Sequence, residues 1–216
     1  MSLPKACIFD LDGVIVDTVP AHYVAWKNVA EELGVPFDEV KNEQLKGLSR
    51  TASMKRILAM GGLERSDAEI QELTDHKNSI YVQIISQLTR EDVLPGVLEF
   101  IDLLKANNIA VAVGSASRNT PTILKAVGLD REFEAVVDGN QVTKSKPDPE
   151  VFLKGAERMG FAPEECVVLE DAISGIDAAL SGNFKCIGVG KPEVLGKAHK
   201  VIPNLKNVDL QVFSDL

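Results

Sequence analysis

The stretch FDLDGVIVDT, Phe9 to Thr18, sets Asp10 and Asp12 two residues apart at the end of a run, ACIFD, that otherwise reads as a buried strand. Other chemistry-bearing side chains also follow apolar runs: Ser115 ends IAVAVGS, Lys146 comes a loop after FEAVVDG, and Glu170 and Asp171 end ECVVLED. In an open α/β sheet, ligands collect beyond the carboxyl ends of the strands, near the point where strand order reverses. That rule gathers these scattered residues into one candidate site. Three carboxylates converging in a low-dielectric cleft repel one another unless a cation neutralises them or some take up protons. A hard divalent ion such as Mg2+, which takes oxygen ligands and keeps positions open for water and phosphate, suits such a set, and Lys146 adds positive charge beside a phosphate.

Each piece alone has a plainer reading. Asp10 and Asp12 could form a turn at a strand end, and Glu170 and Asp171 a solvated strand end or helix cap. Lys146 in KSKPDP would be a surface-loop residue; only their joint order favours a site. Rival motifs fail. DLDG opens like a calcium loop, but apolar Val14, Ile15 and Val16 follow where further oxygen ligands are needed. GVGKPE at Gly188 lacks the third glycine of a dinucleotide fingerprint, and no GxxxxGK[ST] occurs.

The elements that must position these residues alternate. Five short apolar segments, ACIFDLD, IAVAVGSAS, FEAVVDG, ECVVLED and FKCIGVG, read as buried parallel strands. Helical patterns lie between them: VLEFIDLLKAN opened by Pro95, a helix from Thr120 and Pro121 to Gly128, and another from Asp148 and Pro149 to Gly160. This predicts an α/β fold, a doubly wound, Rossmann-like parallel sheet. Residues 19–88 break the alternation. Tyr23, Trp26, Val29, Ala30 and Leu33 form one apolar stripe; Ile57 and Leu58 lie in a second helix; Ile70, Leu73, Ile80, Tyr81, Ile84 and Leu88 form a third. A helical cap subdomain over 19–88, inserted into a core made of 1–18 and 89–216, is expected.

With 216 residues, 45% apolar and 25% charged, the chain is an ordinary globular sequence, and no low-complexity tract appears. The net charge of −9 argues against nucleic acid as a partner, since phosphate backbones reward basic surfaces. A few focused Lys and Arg side chains can still hold one small phosphate. No run of about 18 apolar residues occurs and the start lacks the pattern of a signal peptide, so no membrane association and a cytoplasmic location are expected. Cys7, Cys166 and Cys186 sit in apolar runs without CxxC spacing and read as buried, reduced thiols.

Taken together, FDLDGVIVDT, GSAS, KPDP and LEDAISG resemble, in order and spacing, the four motifs of the haloacid-dehalogenase-like phosphotransferases, and the helical insertion resembles that family's mobile cap. NEQLKGLSR, Asn42 to Arg50, with AHYVAW, HKNSIY and GSASRN, resembles the specificity loop and companion segments of a sugar-phosphate mutase branch. The resemblance implies interconversion of β-D-glucose 1-phosphate and glucose 6-phosphate through β-D-glucose 1,6-bisphosphate, with Mg2+ as cofactor; the alternative is a Mg-dependent phosphatase of the same family acting on a sugar phosphate or other small ester. Carried over, Asp10 is the nucleophile that becomes an aspartyl phosphate and Asp12 the general acid and base. Mg2+ is held by Asp10, the backbone carbonyl of Asp12, Glu170 and Asp171, while Ser115 and Lys146 hold the transferring phosphoryl group.

For its task Asp12 needs a raised pKa, which desolvation under a closing cap supplies. The resemblance further implies that His22 couples closure to placement of Asp12 and that Thr18, at the hinge, supports Asp12 by hydrogen bonding. Ala116, Ser117, Arg118, Asn119 and Arg50 are candidates for the second phosphate of the bisphosphate, Arg50 being suited to bidentate contacts. Trp26, Lys46, Gly47, Ser53 and Lys77 match sugar- or phosphate-facing cap positions. Trp26 on its apolar stripe could equally be core, and Lys77 without the family context is a helix-surface lysine. A non-catalytic phospho-acceptor, resembling a response-regulator receiver, also pairs a strand-end Asp with Mg2+ and Lys, but would gain nothing from Asp12 or a cap. The expected partner is a small phosphorylated sugar, and the expected state is a monomer.

Overall fold

A computed structural model of the chain describes residues 3–45 and 50–216. Along the chain run β1 (Ala6–Phe9), α1 (Val19–Glu32), α2 (Glu39–Glu43), α3 (Arg50–Met60), α4 (Asp67–Ile85), α5 (Val97–Ala106), β2 (Ala110–Gly114), α6 (Thr120–Ala126), β3 (Ala135–Val137), α7 (Glu150–Met159), β4 (Cys166–Glu170), α8 (Ile173–Ser181), β5 (Lys185–Val189), α9 (Pro192–Leu195) and β6 (Lys200–Ile202). The strands form one parallel sheet in the order β3-β2-β1-β4-β5-β6. Strand order reverses at β1, which pairs with β2 on one side and β4 on the other. The crevice beyond the carboxyl ends of β1 and β4 is therefore the place where this topology puts a ligand.

Both faces of the sheet are covered, which is why the strands read as unbroken apolar runs rather than alternating ones. Ile8 joins the cluster with Phe152 of α7, Val168, Ile176 of α8, Phe184 and Cys186. Its neighbour Phe9 points the other way, its ring meeting those of Phe100 of α5 at 6.2 Å and Phe133 at 6.3 Å, both edge-on. The cysteines are free and buried, and burial pushes the Cys7, Cys166 and Cys186 thiols up.

Two local readings of the sequence need correction. Pro95 does not open α5: Gly96, at φ +88°, precedes Val97, and a Cβ on Gly96 would overlap the Leu205 carbonyl, so the turn and the close approach both require glycine. β6 was not foreseen; its three residues KVI are all half-buried and pair only with β5, at the sheet edge, where neither periodicity nor burial marks a strand.

The chain divides into two compact units, Met1–Asp17 with Leu88–Leu216, and Thr18–Gln87. The second is helical, its core made by Trp26, Val29 and Ala30 of α1, Met54, Ile57 and Leu58 of α3, and Ile70 of α4. α4 begins at a capping box: Ser66 accepts the Glu69 N–H at 3.3 Å while the Glu69 carboxylate takes the Ser66 N–H at 2.8 Å. It ends at Ile85, one turn earlier than the stripe through Leu88 suggests. Among the described residues no helix is long and apolar enough to cross a membrane.

Candidate active site

The ladder between β1 and β4 aligns Phe9 with Leu169, and the Asp10 N–H continues it to the Leu169 carbonyl at 2.9 Å. Asp10 and Glu170 thus leave the sheet side by side, with Asp171 next. A carboxylate oxygen from each of Asp10, Glu170 and Asp171 lies within 4.8 Å of the others. Lys146, arriving from the loop after β3, donates to Asp10 Oδ1 at 2.5 Å and to Glu170 Oε2 at 2.8 Å, and its Nζ stands 4.6 Å above the Phe152 ring. It is no surface-loop lysine: its side chain is 8% exposed. The peptide joining it to Pro147 is cis.

One ammonium among three carboxylates leaves the cluster short of positive charge. Burial, and then the charge of Asp10, push Glu170 up to about 8 against the pull of Lys146; the same two causes push Asp171 up to about 6. Burial by itself would lower the Lys146 pKa, but the charges of Asp10 and Glu170 outweigh it and hold the ammonium protonated. The donor set is all oxygen, three close carboxylates at a strand-end crevice, and it fits a hard divalent cation. Asp12 is not among these carboxylates. It sits in the turn Leu11–Val16, closed by the Gly13 N–H on the Val16 carbonyl at 2.7 Å and by the Ile15 N–H on the Leu11 carbonyl at 2.9 Å.

Two glycines that sequence reading passed over make room for the cluster. A Cβ on Gly175, at the start of α8, would overlap the Glu170 carboxylate, and one on Gly13, at φ +78°, would overlap Asp171 Oδ2. The signal was present, since both glycines lie inside quoted motifs: Gly175 in LEDAISG with its acid Glu170, and Gly13 in FDLDGVIVDT, away in sequence from Asp171. Glu170 Oε1 in turn accepts the Asp171 and Ala172 N–H groups at 3.1 and 3.0 Å. Gly175→Ala is expected to lower turnover about 100-fold by displacing that carboxylate while leaving the fold intact; kcat read beside a thermal unfolding curve checks it.

Ser115 follows β2, its N–H donating to the Val137 carbonyl at 3.0 Å. Its Oγ accepts the Ser117 N–H at 3.1 Å, so the hydroxyl proton is left to donate elsewhere. Ser117 Oγ likewise accepts the Asn119 N–H at 3.2 Å, and buried Thr120 donates to the Ser117 carbonyl at 2.8 Å. Ala116, Ser117, Arg118 and Asn119 thus form one tightly tied loop in the same compact unit as Asp10, Lys146 and Glu170.

In the helical unit, α1 and α4 bring together His22, Trp26, Lys77 and Tyr81. Lys77 Nζ lies 2.8 Å from His22 Nδ1 and 4.6 Å from the ring centres of both Trp26 and Tyr81, and the His22 ring stacks on Tyr81 at 4.1 Å. Burial and the Arg50 charge lower Lys77 to about 7; burial, with Lys77 and Arg50, lowers His22 to about 3. His22 is therefore neutral, with Nδ1 accepting from Lys77 and the proton on Nε2. The reading of Lys77 as a surface lysine is overturned, for it is buried, and among the described residues no carboxylate pairs with it. Trp26 is both core and part of this cluster. Tyr81, read only as an apolar stripe residue, was missed. Ser53 is buried on α3, and Thr18 precedes α1, its carbonyl accepting the His22 N–H at 3.0 Å. Lys46 and Gly47 lie outside the described residues.

A parallel sheet whose switch point gathers an aspartate, a lysine and two further acids defines a class, and the sequence agrees with it: the haloacid dehalogenase-like hydrolase model matches residues 4–183, and the chain belongs to that family. Within it, the chain is 42% identical over 213 residues to the β-phosphoglucomutase of Bacillus subtilis, covering 98% of this chain and 94% of that one. It is 34% identical to a phosphorylated carbohydrates phosphatase of Thermotoga maritima, over 85% and 83% of the two chains. Among solved structures, a β-phosphoglucomutase from Clostridium difficile superposes with a TM-score of 0.85 at 38% identity, covering 96% of this chain and 94% of that one.

Proposed function

We propose that the protein is a phosphosugar mutase that interconverts β-D-glucose 1-phosphate and D-glucose 6-phosphate through an aspartyl phosphate on Asp10 and β-D-glucose 1,6-bisphosphate. The observation that carries the chemistry is the placement of Lys146 Nζ between Asp10 and Glu170 at the β1/β4 crevice. The choice of mutase over phosphatase is supported by the near full-length similarity to the B. subtilis enzyme.

Asp10, Glu170 and Asp171, with the carbonyl of Asp12, would hold Mg2+, which when bound supplies positive charge to phosphoryl oxygens and so lets one anion approach another. An Asp10 carboxylate oxygen attacks phosphorus in line, forming the aspartyl phosphate as the bond from phosphorus to the sugar oxygen breaks. Asp12 gives its proton to that leaving oxygen, and it takes one from the 6-hydroxyl of a β-glucose 1-phosphate that attacks the phosphoenzyme, forming the bisphosphate as the bond from phosphorus to Asp10 breaks. Lys146 and the Ser115 hydroxyl bear the charge of the transferring group. The Ser115–Asn119 loop holds the phosphate that is not being transferred, and Lys77 offers a buried cation that, among the described residues, lacks an acid partner. A small phosphorylated sugar is the only partner this scheme needs, and a monomer suffices.

The test is to incubate the protein with Mg2+, β-glucose 1-phosphate and a trace of the bisphosphate and to measure glucose 6-phosphate and free phosphate together. Glucose 6-phosphate should dominate; phosphate release without it would instead favour the phosphatase. A pH effect should accompany this. With Lys77 at about 7, the ammonium is lost as pH rises through neutrality, so affinity for the sugar phosphate is expected to fall over the next pH unit, and Lys77→Ala should bind weakly without that step. Calorimetric titrations with β-glucose 1-phosphate at several pH values would show it.

A further inference from the structure

The loop after β2 is shaped by a second loop of the same compact unit, the turn Asp138-Gly139-Asn140 that follows β3. Asp138 is buried, accepts the Asn140 N–H through Oδ1 at 2.8 Å, and through its carbonyl accepts the Gln141 N–H at 3.0 Å. Closed in this way, the turn reaches across to its neighbour. The Gly139 N–H donates to the Ser117 carbonyl at 3.3 Å, and Asn140 Nδ2 donates to the Arg118 carbonyl at 2.9 Å. Gly139 also lies so near Ala116 that a Cβ would overlap the Ala116 carbonyl oxygen. Its φ is not in the left-handed region, so close approach, not backbone conformation, is what demands glycine here.

Holding carbonyls aims amides. In a trans peptide the C=O of one residue and the N–H of the next point in opposite directions. Gly139 and Thr120 together pin the Ser117 carbonyl, which turns the Arg118 N–H away from them; among the described residues that N–H has no acceptor. The Arg118 carbonyl, held by Asn140, fixes the next peptide in the same manner, with the Asn119 N–H on Ser117 Oγ.

We infer that the Asp138-Gly139-Asn140 turn sets the Ser117–Asn119 backbone for the phosphate that is not being transferred, with Asn140 as a positioning residue. The inference rests on the reading of that loop as the second phosphate subsite. It makes no claim on Asp10 chemistry itself, because the turn touches neither Asp10, Lys146 nor Glu170 among the contacts described.

The test compares two phosphoryl donors to Asp10 in the full-length protein with Mg2+: β-glucose 1,6-bisphosphate, which carries a second phosphate, and acetyl phosphate, which does not. Asn140→Ala and Asn140→Asp both lose the donor, the second with nearly unchanged size. Each should raise KM for the bisphosphate about 5- to 10-fold, leave its kcat within about twofold, and leave acetyl phosphate turnover unchanged within the same margin. Gly139→Ala should raise the bisphosphate KM further. Amide hydrogen exchange in Asn140→Ala should speed up at Asn119, whose N–H is held on Ser117 Oγ, and not at Asp10 or Glu170. An unchanged bisphosphate KM, or equal losses with both donors, would overturn the inference, because a merely structural lesion does not distinguish the donors. Glucose 6-phosphate formation by the wild-type protein reports separately on the reaction, while calorimetric binding of the bisphosphate and amide exchange test the turn whichever product forms.

Discussion

Asp10→Asn is expected to reduce formation of glucose 6-phosphate and release of free phosphate together by about 10^4-fold or more, with the fold retained. Both products require the Asp10 carboxylate to attack phosphorus, and an amide oxygen in its place is too weak a nucleophile to form the phosphoenzyme. The change is nearly isosteric, so the amide oxygen can still accept from Lys146, which also keeps Glu170 at 2.8 Å. Removing one of three close carboxylates relieves repulsion on the other two, since the Asp10 charge is the second cause, after burial, of the raised pKa of both Glu170 and Asp171. Thermal stability should therefore hold or rise. Parallel assays of both products beside an unfolding curve decide the matter: either product persisting near the wild-type rate would exclude the covalent path, and a collapsed unfolding transition would assign the loss to folding.

What could be read from sequence follows the reach of local signals. Asp10, Ser115 and Asp171 stand directly after β1, β2 and β4, Glu170 is the last residue of β4, and strand ends are marked by the switch from apolar to polar residues, so topology alone converges them. Lys146 comes from a loop, and although the strand-end rule gathers it into the site, nothing local in KSKPDP marks its burial between two acids. In the helical unit the information was present but incomplete. His22 and Trp26 are four apart on α1, and Lys77 and Tyr81 four apart on α4, so each pair shares a helix face. Periodicity does not say which faces meet, and so Lys77 read as a surface residue and Tyr81 as plain core. The turn at Gly139 was opaque for a similar reason: its φ is ordinary, and only the nearness of Ala116, 23 positions earlier in the chain, makes a side chain intolerable there.

Lys146→Met is expected to lower turnover and stability together, and the pH dependence of the stability loss separates charge from packing. Methionine fills a similar volume over the Phe152 ring but removes the cation that meets Asp10 at 2.5 Å and Glu170 at 2.8 Å. Breaking a buried ion pair from one side costs about 3–5 kcal/mol, because the remaining charges stay buried without compensation. Turnover should fall about 10^3-fold or more as the charge beside the phosphoryl group is lost. In the absence of divalent cation the sign with pH follows from Glu170 and Asp171, which burial and Asp10 already push up to about 8 and about 6 while Lys146 pulls both down. Without Lys146 both rise further above their unfolded values. The folded variant then binds more protons than the unfolded chain, so the contribution of these two acids to its stability is fully present below their unfolded values of about 4 and is lost as pH rises through the raised ones. Unfolding temperatures of both proteins across this range, with EDTA and with Mg2+, are the measurement. The gap between variant and wild type should widen with rising pH in EDTA and narrow when Mg2+ is added, because a bound cation supplies the missing charge to the same oxygens. A gap that ignores both pH and Mg2+ would mean that Lys146 serves there as packing against Phe152, and the charge-balance account of the site would fail.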